Sequence, residues 1–276
     1  MRNVCYVILL PWWSSSQQQQ QHPPTGTMTT RVNTYENGKV VHIGSTGDAV
    51  GSAVAKLVAE LSHDAIAKSG RFTVALSGGS LPKILEKGLS SLKDGVDFSK
   101  WHVFFADERV VPLDHADSNY LACHDALFQH VSIPSSQIYT IAFHDDPAVV
   151  AQDYTRQLSQ LWGSELPRFD VILLGMGPDG HTCSLFPGHV LLNESALWVA
   201  SISDSPKPPP KRITLTYPVV NNAAAVAFVA TGESKAPLMR HVLGVEDQTP
   251  PLPAARVLPT AGQVHWFIDE AAAAKL

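Results

Sequence analysis

The stretch Val171-Ile-Leu-Leu-Gly-Met-Gly-Pro-Asp-Gly-His-Thr-Cys-Ser-Leu-Phe-Pro187 decides how this chain reads. Its first residues form an unbroken apolar run bounded by glycine, the pattern of a strand buried on both faces of a parallel sheet. Gly175-Met-Gly-Pro-Asp-Gly180 then breaks any regular structure. The first ionisable groups after the break are Asp179 and His181. In open α/β sheets, ligands bind beyond the carboxyl ends of the strands. An imidazole there, two residues from a carboxylate, is a candidate general base. The competing reading is a structural histidine capping the helix that follows.

Working outward, strand and helix patterns alternate from about residue 39. Thr46 to Lys68 places Val50, Val54, Leu57, Val58, Leu61, Ala65 and Ile66 at the spacing of one helix face. Phe72 to Leu76 reads as a strand, Ser77 to Ser80 as the turn after it, and Pro82 as a first-turn proline of a helix running toward Leu92. Trp101 to Ala106 is the next strand, and Asp107-Glu-Arg109 its charged end. Asn119–Phe128 and Pro147–Trp162 read as helices. Phe169–Leu174, Ala225–Thr231 and Val264–Ile268 read as strands, with shorter candidates at Leu197–Ile202 and Arg212–Tyr217. A helix is expected from Lys235 to Leu243. This order implies an α/β fold with a mostly parallel, doubly wound, Rossmann-like sheet and helices on both faces.

The 276 residues, 45% hydrophobic and 16% charged, can bury a sizeable core. A single α/β domain is expected over 31–276, behind a disordered extension at 1–30 that holds Val4 to Leu10, a glutamine run and a second methionine, Met28. The net charge of −5 speaks against a nucleic-acid partner. No apolar run is long enough to span a bilayer, so no membrane partner is expected. Cys5, Cys123 and Cys183 are odd in number and form no CxxC pair, so a disulfide framework and a zinc knuckle are not suggested. A cytoplasmic, reducing compartment fits. The final Ala274-Lys275-Leu276 matches a relaxed peroxisomal or glycosomal address.

Four groups of polar residues follow candidate strands and could meet at one sheet edge. Gly78, Gly79 and Ser80 offer backbone N–H groups at a helix start, which suits an anion. Asp107 and Arg109 are costly at a strand end unless they face a pocket or pair with each other. The His181 loop is the third. Lys207 and Arg212, flanking a proline run, and Lys235 supply cations that a phosphate or carboxylate ligand would need. Ordinary surface charge is the alternative for these. No Rossmann or Walker fingerprint, serine elbow or His-Glu-x-x-His motif occurs. Neither a metal nor a cofactor is called for.

The set Ser77-Gly-Gly-Ser80, Asp107-Glu-Arg109, Gly175 to Pro187, Lys207-Pro-Pro-Pro-Lys-Arg-Ile-Thr214 and Thr231-Gly-Glu-Ser-Lys-Ala236 resembles the 6-phosphogluconolactonase family across roughly 39–270. The resemblance implies a NagB-like fold and hydrolysis of 6-phospho-D-glucono-1,5-lactone to 6-phosphogluconate, in the oxidative branch of the pentose phosphate pathway. It implies a small sugar-phosphate lactone as ligand and a monomer or weak dimer. His181 would activate water, Asp179 or Asp107 would orient the ring or a substrate hydroxyl, and Gly78, Gly79, Ser80, Arg109, Lys207, Arg212 and Lys235 would hold the phosphate. The related glucosamine-6-phosphate deaminases carry Asp-Glu-Tyr and Asn-Glu-Pro where this chain has Arg109 and Leu185-Phe-Pro187. Cys183 stands where the family more often has Ala. A deaminase or isomerase would need a second carboxylate, for which Glu194 is the nearby candidate. A non-catalytic sugar-phosphate sensor is the remaining alternative.

Overall fold

A computed structural model describes residues 29–91 and 95–276. The expected extension up to residue 28, with Val4 to Leu10 and Met28, and Leu92 at the expected helix end, lie outside the described residues. The boundary expected at residue 31 falls just inside the fold. Strand β1 (Thr30–Thr34) begins one residue earlier, and Thr29 exchanges two hydrogen bonds with Ser45.

Along the chain, β1 is followed by β2 (Val40–Gly44) and the long helix α1 (Gly47–Ser69). The Thr46 side chain accepts from the Ala49 N–H and starts that helix, and Gly70 ends it in the left-handed region. Next come β3 (Phe72–Leu76), α2 (Leu81–Ser91), β4 (Trp101–Phe105), β5 (Asp107–Arg109) and α3 (Asn119–Ala126). Helix α4 (Pro147–Trp162), capped by Asp146, precedes β6 (Val171–Gly175). The remainder is β7 (Val199–Ile202), β8 (Arg212–Leu215), the short α5 (Tyr217–Val220), β9 (Ala225–Ala230), α6 (Ala236–Leu243) and β10 (Gln263–Asp269).

The main sheet has the order β1-β2-β10-β9-β6-β3-β4, and every pairing is parallel except β1 with β2. Strand residues alternate between two apolar clusters. On β6, Ile172 and Leu174 join one and Val171 and Leu173 the other. On β9, Val226 and Phe228 oppose Ala225 and Ala227 in the same way. Both faces are therefore covered, which is why these strands read as unbroken apolar runs. Val50, Val54 and Val58 of α1 pack on one face, and Val150, Tyr154 and Leu158 of α4 on the other.

Two expectations change. Asp107–Arg109 is not the charged end of the 101–106 strand but a strand of its own: β5 pairs antiparallel with β8, and β8 with β7, in a separate three-stranded sheet. The strand candidates near 199 and 212 therefore belong outside the parallel sheet. Their Val199, Ile213 and Leu215 pack into the α4-side cluster. Strand pairing of so short a charged segment is decided by its partner, not by local pattern. The second candidate also ends early, because Tyr217 starts α5.

Candidate active site

Chain direction in the sheet locates the crevice. From β3 the chain moves outward to β4, whereas β6, its neighbour on the other side, leads to β9. The loops leaving β3 and β6 thus diverge, and a crevice opens between them at the carboxyl edge. A cavity of about 240 Å³ lies there. Ser77, Gly78, Gly79 and Ser80 line it after β3, and Gly177 and His181 after β6. Asp107, Arg109, Arg212 and Lys235 complete the polar wall.

The His181 loop closes on itself: Gly177 N–H donates to the His181 carbonyl at 2.9 Å, and Gly180 N–H to that of Gly177 at 3.0 Å. No helix follows, since Thr182 to Leu185 is a tight turn, so the helix-capping reading of His181 falls. Cys183 in this turn has φ 50°, a backbone conformation that costs an L-residue. His181 Nδ1 lies 2.6 Å from Asp179 Oδ1. An ionised carboxylate only accepts, so Nδ1 carries the proton and Nε2 the lone pair. Lys207 Nζ stands 3.1 Å from Asp179 Oδ1 and 3.1 Å from His181 Nδ1. Burial pushes the Asp179 carboxyl up, but His181 and Lys207 outweigh it and hold it at about 2. Burial holds the His181 imidazole below its ordinary value; Asp179 raises it and Lys207 lowers it further. The balance favours the neutral ring, the form in which an imidazole can accept a proton.

Of the two carboxylates expected to orient the ring or a substrate hydroxyl, Asp107 is not the one bonded to the ring. Its Oδ2 accepts from Ser184 Oγ at 2.8 Å, its carbonyl accepts from Asn119 Nδ2 at 2.8 Å, and Asp179 is the carboxylate bonded to the ring. Beside it, Glu108 is 1% exposed and accepts from the N–H groups of Arg109, Asn119 and Tyr120, each at 2.8 Å. It caps α3 and ties that helix to β5. Burial pushes its carboxyl up to about 7, against the pull of those three donors.

The cations divide. Arg109 sends Nη1 to the Asp117 carbonyl at 2.8 Å, and its Nε is buried without a partner. Ser77 Oγ is buried and unpartnered as well. Two orphaned donors on one cavity wall cost free energy unless a ligand satisfies them. The N–H groups of Gly78, Gly79 and Ser80 find no acceptor among the described residues. Gly78 has no room for a side chain: a Cβ there would lie 1.8 Å from Asn119 Oδ1. Lys235 reaches the cavity from the turn after β9, and burial, helped by Lys207, lowers its pKa. Lys207 stands at the His181 pair, while Arg212 is committed largely to the proline loop. Sequence reasoning missed Asn119, Ser184 and the capping role of Glu108. A Ser-Asn pair ahead of a helix could have signalled a cap, but nothing local links Ser184 to Asp107, 77 residues away.

Fold and cavity together define a doubly wound α/β protein that presents a carboxylate-held histidine and a cationic, N–H-rich wall at its switch point. Comparison with known proteins places it more closely. The family model described as glucosamine-6-phosphate isomerases/6-phosphogluconolactonase matches residues 45–266. The chain is similar to the 6-phosphogluconolactonase of Rattus norvegicus, at 46% identity over 85% of this chain and 92% of that protein. It is similar to that of Homo sapiens, at 45% over 85% and 92%. Among solved structures it resembles 6-phosphogluconolactonase from Trypanosoma brucei, with TM-score 0.73 and 27% identity over 86% of this chain and 98% of that one. The chain belongs to the glucosamine-6-phosphate isomerase/6-phosphogluconolactonase family.

Proposed function

We propose that this protein is an enzyme that hydrolyses 6-phospho-D-glucono-1,5-lactone to 6-phosphogluconate, as the names of its relatives indicate. The observation that carries the reading is the His181–Asp179 pair at 2.6 Å beside a cationic cavity. Water donates its proton to His181 Nε2 while its oxygen attacks C1. The carbonyl π electrons move to oxygen, and the N–H groups or ammonium groups nearby stabilise that charge. As the tetrahedral intermediate collapses, the C1–ring oxygen bond breaks, and His181 returns the proton to the departing oxygen. General-base help supplies about 10²–10⁴-fold and an oxyanion donor about 10²–10³-fold. A δ-lactone is an activated ester, so no covalent intermediate is needed.

In this reading Asp179 holds the ring, and Arg109 with the Ser77–Ser80 loop and Lys235 grips the phosphate. Asp107 faces a substrate hydroxyl. The deaminase alternative loses its second carboxylate: Glu194 is outside the cavity lining and accepts from the N–H groups of Ala196 and Leu197. The test is a coupled assay on freshly made lactone. Turnover well above the spontaneous background is expected, as is its collapse in His181→Ala. A folded His181→Ala variant that turns over normally would end the mechanism.

We also propose a monomer or weak dimer in the cytoplasm, to be checked by sedimentation. Among the described residues no helix is long and apolar enough to cross a membrane. A share in peroxisomes or glycosomes would be carried by Ala274-Lys275-Leu276. The tripeptide is exposed, whereas Ala272 and Ala273 are buried. Deleting it should leave a fluorescent fusion wholly cytosolic.

A further inference from the structure

We infer that Arg212 is a positioning residue: it clamps the proline loop so that Lys207 stands against Asp179 and His181, and it does not grip the substrate's phosphate. The inference rests on the reading of His181 as the base. The loop from Ser205 to Arg212 joins β7 to β8 and contains Pro206, Pro208, Pro209 and Pro210. Prolines donate no backbone hydrogen bond, and the backbone pairing within this loop is the Ser205 N–H to the Pro210 carbonyl at 3.2 Å, which leaves the carbonyls between them to side chains. Arg212, at the end of the loop, reaches back to three of them. Its Nη2 donates to the carbonyls of Lys207 at 3.0 Å and Pro208 at 2.9 Å, and its Nε to that of Pro209 at 3.0 Å. Its Nη1 lies 3.5 Å from Ser184 Oγ, whose own proton goes to Asp107.

A guanidinium has five N–H bonds. Three are spent on the loop and a fourth points at Ser184, so a bidentate hold on a phosphate, which needs two parallel N–H bonds, would release a loop carbonyl. The residue is 3% exposed, and its guanidinium lies over the Phe186 ring, 5.7 Å from the centroid. Phe186 in turn packs against His181, with 4.7 Å between ring centroids. Arg212 therefore touches both supports of the base: the loop that carries Lys207 and the ring that backs the imidazole. The only other anchor on Lys207's backbone in the described structure is Ser205, whose Oγ donates to the Lys207 carbonyl at 2.8 Å and accepts its N–H at 3.3 Å. From that backbone the Lys207 ammonium reaches Asp179 and His181, 3.1 Å from each. A lysine at 212 keeps the charge but cannot span three carbonyls.

The test is steady-state kinetics on fresh lactone for the native enzyme, Arg212→Lys, Lys207→Met and the double variant. Arg212→Lys should lower kcat about tenfold to a hundredfold while KM stays within about twofold. The double variant should be no slower than Lys207→Met alone, because both changes break one assembly. A raised KM at native kcat, or losses that multiply in the double variant, would overturn the inference. Should Arg212→Lys fail to fold, Ser205→Ala loosens the same loop from its other anchor: lower kcat at native KM supports the clamp, and native kcat overturns it. A native enzyme no faster than spontaneous hydrolysis would instead sink the lactonase reading, so the two failures are distinguishable.

Discussion

Gly177 and His181 are four residues apart and in van der Waals contact. A Cβ built on Gly177 would lie 2.0 Å from His181 Nδ1 and 2.7 Å from Asp179 Oδ1. The missing side chain is the space in which the imidazole and its carboxylate meet. Gly177→Ala should therefore displace the ring and lower kcat about a hundredfold, since misplacement on the ångström scale costs that much. Circular dichroism should still show native secondary structure. Native turnover in the folded variant would refute the packing argument.

Asp179→Asn tests the tautomer. An amide can accept from Nδ1–H, but it can also donate, and then the lone pair moves to Nδ1 and Nε2 is lost as base. A fall of about 10²–10⁴ in kcat is expected, in the range of general-base catalysis. Unchanged kcat would mean that the ring needs no orienting carboxylate.

The acid limb of kcat/KM should report His181. Burial, with help from Lys207, depresses its pKa, so the native limb should lie below 6.5. Lys207→Met removes a cation that disfavours the imidazolium, so the limb should move to higher pH. A shift to lower pH would contradict this electrostatic account.

Arg109 lines the cavity with its Nε buried and unpartnered, which fits the phosphate-binding role proposed for it. Arg109→Met should raise KM about tenfold or more, one charge-assisted hydrogen bond's worth, and weaken inhibition by 6-phosphogluconate in parallel. A loss confined to kcat would place Arg109 at the reacting carbonyl.

Away from the site, His42 Nε2 and His265 Nδ1 share a 3.2 Å hydrogen bond, and the His42 ring stacks on Phe267. Burial, then repulsion from His265, pushes the His42 pKa down to about 4; Lys56 and Glu60 of α1 line the same groove. The unfolded chain protonates first on acidification, so stability should fall as pH drops from 6.5 toward about 4. Denaturant titrations of native protein and His42→Gln across that window should differ in slope. Equal slopes would exclude His42 as the source.

Much of the main sheet was legible because it is buried on both faces. The run at 171–174 has no polar partner to offer water, and its length and glycine ends admit little but a strand. Helices α1 and α4 were legible from apolar spacing, to within a residue or so. The small sheet was not. Asp107–Arg109 is a strand only because Arg212–Thr214 pairs with it, and no local pattern encodes a partner more than a hundred residues away. The cations were recognisable as a set but not by place: the sequence cannot tell Arg109, with a buried donor left unpartnered, from Arg212, whose donors are spent on carbonyls.

The sequence by itself determined the parallel sheet, the glycine-broken loop after β6 and the identity of His181 and Asp179 as neighbours on it. These follow from local periodicity and from backbone conformations that few residues allow. Only the tertiary structure decided that the crevice opens between β3 and β6, that Asp179 and not Asp107 holds the ring, and which cations face the cavity. Those outcomes depend on contacts between segments far apart in the chain, whose free energy is settled only when both sides pack.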